Sequence, residues 1–172
     1  TDALTMWFAA DKGVTLAEDG KSVLEWTSQT DPNLKLTQTD AAAAPQLITD
    51  EKGAKHLSYD GKDDLLTLEG VNFNDKSNLS IVIVTQYQGD KLSSDWSGET
   101  KTPFFVTSDG DWGSVYLSPY QDWVGARFGS GVGNCQVKLI RDKPMESNSV
   151  TAAVKDGALE KIFVNGVAGA KR

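Results

Sequence analysis

Hydrophobic residues in this chain recur at every second position over short runs, and turn-forming pairs separate the runs. Side chains alternate sides along a strand, so this period marks strands with one buried face. The first run, Leu4 to Gly13, is a short apolar strand leading into a turn, and a second strand at Ser22 to Trp26 follows the Asp19-Gly20 turn. Ala41 to Ala44 does not predict a helix, because the run is short, has no amphipathic period and meets Pro45, which restricts the residue before it. Leu57 and Tyr59 alternate with polar residues, Asp60-Gly61 turns, and Leu65 to Leu68 resumes the extended run. Ser80 to Tyr87, SIVIVTQY, is the most apolar block; its β-branched content predicts a central strand. Further strands are predicted at PFFVTSDG from Pro103, at Gln136 to Ile140, at Val150 to Val154, and in the hairpin LEKIFVNGV closed by Asn165-Gly166. Roughly ten to a dozen short strands with regular turns give the pattern of an all-β sandwich or barrel with little helix.

One stretch, Ser108 to Gly133, sets Trp112, Tyr116, Tyr120 and Trp123 among glycines with little aliphatic filler. At strand period Val124, Ala126 and Phe128 share one face, and Trp123, Gly125 and Arg127 the other. Val115 and Leu117 likewise oppose Ser114, Tyr116 and Ser118. If the two runs are neighbours, Val115, Leu117, Val124, Ala126 and Phe128 form a core face, and Tyr116, Trp123 and Arg127 an aromatic and cationic patch. Trp7 and Trp26, among apolar neighbours, are expected in the core.

The length of 172 residues predicts one domain spanning 1–172, large enough to bury a core without staples. With 17 basic and 24 acidic residues, a net charge of −7 argues against nucleic acid and anionic membrane surfaces, which call for basic patches. No apolar run approaches the roughly 20 residues that cross a bilayer, so no membrane insertion is expected. A single cysteine, Cys135, excludes an intramolecular disulfide and a cysteine-based zinc site.

Several pieces, taken in order, resemble the bacterial laminin-G-like domains of the concanavalin A-like lectin and glucanase superfamily. They are Leu4 with Trp7, Ala9 and Asp11-Lys12-Gly13; Val23 with Trp26; Ala44-Pro45-Gln46-Leu47; Tyr59-Asp60-Gly61 and Asp63-Asp64-Leu65; the strand Ile81 to Val84; Arg127-Phe128-Gly129; and Val154 to Asp156-Gly157 with Phe163-Val164-Asn165-Gly166. The resemblance implies a jelly-roll sandwich of two antiparallel sheets, an accessory module among other domains of a large secreted or cell-surface bacterial protein. Such modules commonly bind carbohydrate and often hold structural calcium. The chain departs from the family at Thr27-Ser28-Gln29-Thr30, where the family more often has an Asp-Gln-Ser-Gly turn. The family also continues for several strands beyond the Asn-Gly hairpin, whereas this sequence stops at Arg172. The expectation is either an unusually short module or one whose last strands lie on a separate piece.

Paired carboxylates flanking a scissile bond would mark a glycanase. The alternating acids of the jelly-roll glucanases do not occur here. Asp109 and Asp111 alternate but sit in a turn with Gly110, and Asp63-Asp64 point to opposite faces if extended. His56, the one histidine, has no nucleophile motif around it, and Cys135 reads as a small, partly buried residue. Calcium would draw on the acid-rich turns Asp60 to Asp64 and Asp109 to Asp111, although neither has the spacing of a dedicated loop. The expected function is therefore non-catalytic: glycan stacks on Trp112, Tyr116, Tyr120 and Trp123, with Arg127 and Asp111 bonding its hydroxyls. A protein-interaction or adhesion module of the same fold is the alternative, and a glycan-active enzyme a further one.

Overall fold

The computed structural model describes residues 4–71, 73, 78–87, 104–108, 111–119, 124–128, 136–138, 149–157 and 159–171. Apart from one three-residue 3-10 turn, its regular structure is β-strand, and every strand pairing is antiparallel. Chain contacts group the protein into two compact units, Thr1–Val71 and Asn72–Arg172.

In the first unit, β1 (Val14–Leu16), β2 (Val23–Thr27), β3 (Lys35–Thr37) and β6 (Thr67–Leu68) form one sheet in the order β1-β2-β3-β6, while β4 (Gln46–Thr49) and β5 (Lys55–Ser58) form a separate ribbon. The β1–β2 turn is built by Asp19. Its carboxylate accepts from the Lys21 and Ser22 amides at 2.8 and 2.9 Å and from the Ser22 hydroxyl at 2.7 Å. These bonds, that of the Ser22 hydroxyl foremost, hold the Asp19 carboxyl below the usual carboxylate range. Across β2 and β3, Lys35 Nζ lies 3.0 Å from Glu25 Oε1 and lowers that carboxyl.

Val23 is fully buried at the start of β2, where its amide donates to the Pro45 carbonyl at 2.9 Å. Ala44, before the proline, is extended at φ −107° and ψ 135°, as the pyrrolidine ring requires. The alanines ahead of it, Ala41–Ala43, make only the 3-10 turn, capped by Asp40 Oδ1 accepting from the Ala42 amide at 2.9 Å.

The second unit carries two sheets. One has the order β14-β13-β12-β7, from β7 (Asn78–Thr85), β12 (Ser149–Asp156), β13 (Leu159–Val164) and β14 (Val167–Ala168). The other has the order β15-β11-β10-β9-β8, from β8 (Phe104–Ser108), β9 (Asp111–Pro119), β10 (Val124–Phe128), β11 (Gln136–Lys138) and β15 (Ala170–Lys171). Ile81, Ala153, Ile162 and Val164 of the first sheet share one buried cluster with Ala126 and Phe128 of the second. Two antiparallel sheets joined by a common core give this unit sandwich character.

Register explains the core. Ile81 opposes Ala153, and Ala153 opposes Ile162, so a small residue sits between two large ones in a single cross-strand row. The next row, Ile83, Thr151 and Val164, brings a hydroxyl into the interior, and Thr151 Oγ1 has no hydrogen-bond partner among the described residues. The opposite face of the same sheet is apolar and open, with Val82, Val84 and Val150 exposed at 64, 68 and 45%.

Candidate functional site

β9 and β10 run antiparallel with Tyr116 opposite Arg127, Leu117 opposite Ala126 and Val115 opposite Phe128. Ala126 and Phe128 are buried at 2 and 4% exposure, so their positions mark the core face. With a period of two, Tyr116 and Arg127 occupy the other face at one register position. β8 extends the row, because Phe105 pairs with Tyr116. Phe105, Tyr116 and Arg127 thus form a continuous line across three strands, spaced about 5 Å apart. Phe105 is the member that pattern reading of the sequence misses.

The remaining predicted residues do not all join this row. Between Val106 and Ser108 the β8–β9 ladder slips, so that Val106 pairs with Val115 while Ser108 pairs with Asp111. Trp112 and Asp111 lie within the slipped span of β9, where alternation counted back from Tyr116 no longer fixes a face. Tyr120 and Trp123 lie outside the described residues, as does Cys135.

Trp26 and Trp7 part company. Trp26 is partly buried, its Nε1 donates to the Ala9 carbonyl at 3.0 Å, and its ring packs against Phe8 at 5.4 Å between centroids. Trp7 is 51% exposed, contrary to the core position expected for it. Phe8 points to Trp26, so its neighbour along the extended chain faces the other way. His56 lies in β5 and is exposed.

The Asp60–Asp64 segment is bent rather than extended, which corrects the expectation that Asp63 and Asp64 diverge. Asp64 Oδ2 accepts from the Asp60 amide at 2.7 Å, and Asp60 Oδ1 accepts from the Lys62 amide at 2.8 Å. One carboxylate oxygen from each of Asp60, Asp63 and Asp64 comes within 4.8 Å of the others. Oxygen donors of this kind suit a hard cation, but three side chains supply only part of the roughly six to eight ligands of calcium. The amide bonds, led by that from Lys62, lower the Asp60 carboxyl; burial, and then the neighbouring charges, raise that of Asp64. Burial, and then the charge of Asp64, pushes the Tyr59 phenol up to about 12, although 49% of the residue is exposed.

Comparison with protein-family models, curated proteins and solved structures gives no match to this chain.

Proposed function

We propose that the protein is a non-catalytic glycan-binding module that engages sugar on the outer face of β8, β9 and β10. The observation that carries this reading is the cross-strand row Phe105–Tyr116–Arg127, on the face away from the core. Pyranose rings present apolar C–H faces that stack on aromatic rings, and a guanidinium bonds pairs of hydroxyls with fixed geometry. An aromatic beside an arginine on a rigid sheet meets both needs. Trp112, Tyr120, Trp123 and Asp111 extend the same proposal to the neighbouring segments. A jelly-roll path for the second unit belongs to it too: β7 leaves its successor β8 to pair with β12, and β15 returns to β11 across the sandwich. Placement in a secreted or cell-surface bacterial protein rests on the family resemblance set out above.

A second reading, a protein-interaction module, is favoured by the exposed valines on the outer face of β7 and β12. An immobilised-glycan panel decides between them. Retention on at least one glycan, lost in Arg127→Ala, supports the lectin reading; no retention on any plant, host or microbial glycan overturns it. Release of reducing sugar from the same panel would show an enzyme instead.

A further inference from the structure

The N-terminal segment of the first unit carries no ladder strand, yet it is held at alternate residues. The carbonyls of Thr5, Trp7 and Ala9 accept from the Thr30 hydroxyl at 2.8 Å, the Gln29 amide at 2.7 Å and Trp26 Nε1 at 3.0 Å. The Trp7 amide donates to Ser28 Oγ at 3.2 Å, so both backbone groups of Trp7 are fixed. A turn closed by the Lys12 amide on the Ala9 carbonyl, at 3.0 Å, then folds the chain back on itself. It brings Lys12 Nζ over the Trp7 indole, 6.0 Å from the ring centroid. Gly13 completes the turn at φ +68°, and the Thr27 amide donates to its carbonyl at 2.8 Å.

The result is a half-exposed indole on a pinned backbone, with an ammonium above it. Burying Trp7 would be the ordinary use of a side chain that size; here Phe8 takes the inward place. Lys12 has no carboxylate partner among the described residues, where the ion pair formed is that of Lys35 with Glu25. An indole that offers a stacking surface beside a cation without a counter-ion is complementary to a ring that is apolar on one face and carries an anion at its edge. A sugar acid has that form: its C–H face covers the indole while its carboxylate meets the ammonium.

We infer that Trp7 and Lys12 form a second glycan subsite, on the first unit, selective for carboxylated sugars. The inference rests on the glycan reading for the class of ligand alone; its residues and its selectivity are its own.

The test titrates the full chain with uronate and sialate oligosaccharides and with their methyl esters, which keep the rings and lose the charge. Trp7→Ala is expected to weaken binding of the acids roughly tenfold or more through loss of stacking. Lys12→Gln, at an exposed position whose change leaves the fold intact, is expected to weaken the acids several-fold and leave the esters unchanged. Lys52→Gln, an exposed lysine in another turn, controls for net charge and leaves both unchanged. Equal affinity for acid and ester, unchanged acid binding in Trp7→Ala or Lys12→Gln, or no binding of any acid overturns the inference. Equal binding of polyglutamate also overturns it, by making this an acidic-peptide site. The two glycan readings separate cleanly. Neutral-glycan retention that Arg127→Ala abolishes, with no preference for acids, removes this inference alone; acid binding that depends on Trp7 and Lys12, without neutral retention, removes the other alone.

Discussion

Tyr116 and Arg127 stand directly opposite each other across the β9–β10 ladder, on the face away from Ala126 and Phe128. Cross-strand neighbours act on one ligand together when a sheet face is a binding surface. Tyr116→Ala and Arg127→Ala are therefore expected to reduce glycan retention each by roughly tenfold, with less than additive loss in the double variant. Affinity electrophoresis in glycan gels reads all three, and additive losses would separate the two residues into independent contacts.

Ile162 is 1% exposed in the centre of the shared core. Ile162→Ala is expected to cost about 2–5 kcal/mol, whereas Val82→Ala, on the open face of the same sheet, is expected to cost little. Urea denaturation of the two variants checks this. Similar losses would mean that the outer face is covered in solution.

The Thr151 hydroxyl, without a hydrogen-bond partner among the described residues, predicts the opposite sign. Thr151→Val keeps the shape and removes a buried group without a hydrogen bond, and is expected to raise stability by about 1 kcal/mol. A lowered urea midpoint would show that the hydroxyl finds a partner.

Acid unfolding should report the Asp19 turn. Its carboxyl lies below the unfolded value of 3.8, so the folded state holds the proton less readily than the unfolded chain. The contribution is fully present above pH 3.8 and is lost as pH falls through the lower, folded value. The difference in Tm between wild type and Asp19→Ala should therefore shrink as pH falls below that point. A difference independent of pH from 2 to about 6 would assign the turn's stability to its backbone instead.

Gly13 and Gly20 form a matched pair, with φ of +68° and +69°. A Cβ at Gly13 would sit 2.6 Å from the Thr27 carbonyl oxygen, while one at Gly20 meets nothing within 4 Å. Gly20→Ala is expected to cost roughly 1–2 kcal/mol from left-handed backbone alone. Gly13→Ala must cost more, and thermal melts of the two variants isolate the steric part.

Most strands were legible in the sequence because alternation survives without knowledge of partners: Ala126 and Phe128 are buried where the pattern of Val124 to Phe128 puts them. Register was not. Counting symmetrically outward from the Ser108–Asp111 pair would set Phe105 against Ser114, but the slip moves it to Tyr116. The slip changes which residue of β9 stands opposite Phe105, and nothing in the alternation announces it, so the row could not be read from the sequence. Trp7 misled for a different reason. Its size argues for burial, and only the side-chain and backbone bonds from Trp26, Gln29 and Thr30 turn Phe8 inward in its place. Asp63 and Asp64 diverge only on an extended chain, and the amide bonds to Asp60 and Asp64 are what bend it.

The open valine face of β7 and β12 also governs how the protein behaves at high concentration. Copies carrying a net charge of −7 repel one another, and that repulsion keeps the exposed valines of neighbouring molecules apart. Near the isoelectric point of about 4.7 the repulsion vanishes while the apolar attraction remains. Added salt shortens the reach of the charge to the same end. Solubility is therefore expected to be lowest in mild acid, where the net charge no longer holds the valine faces apart.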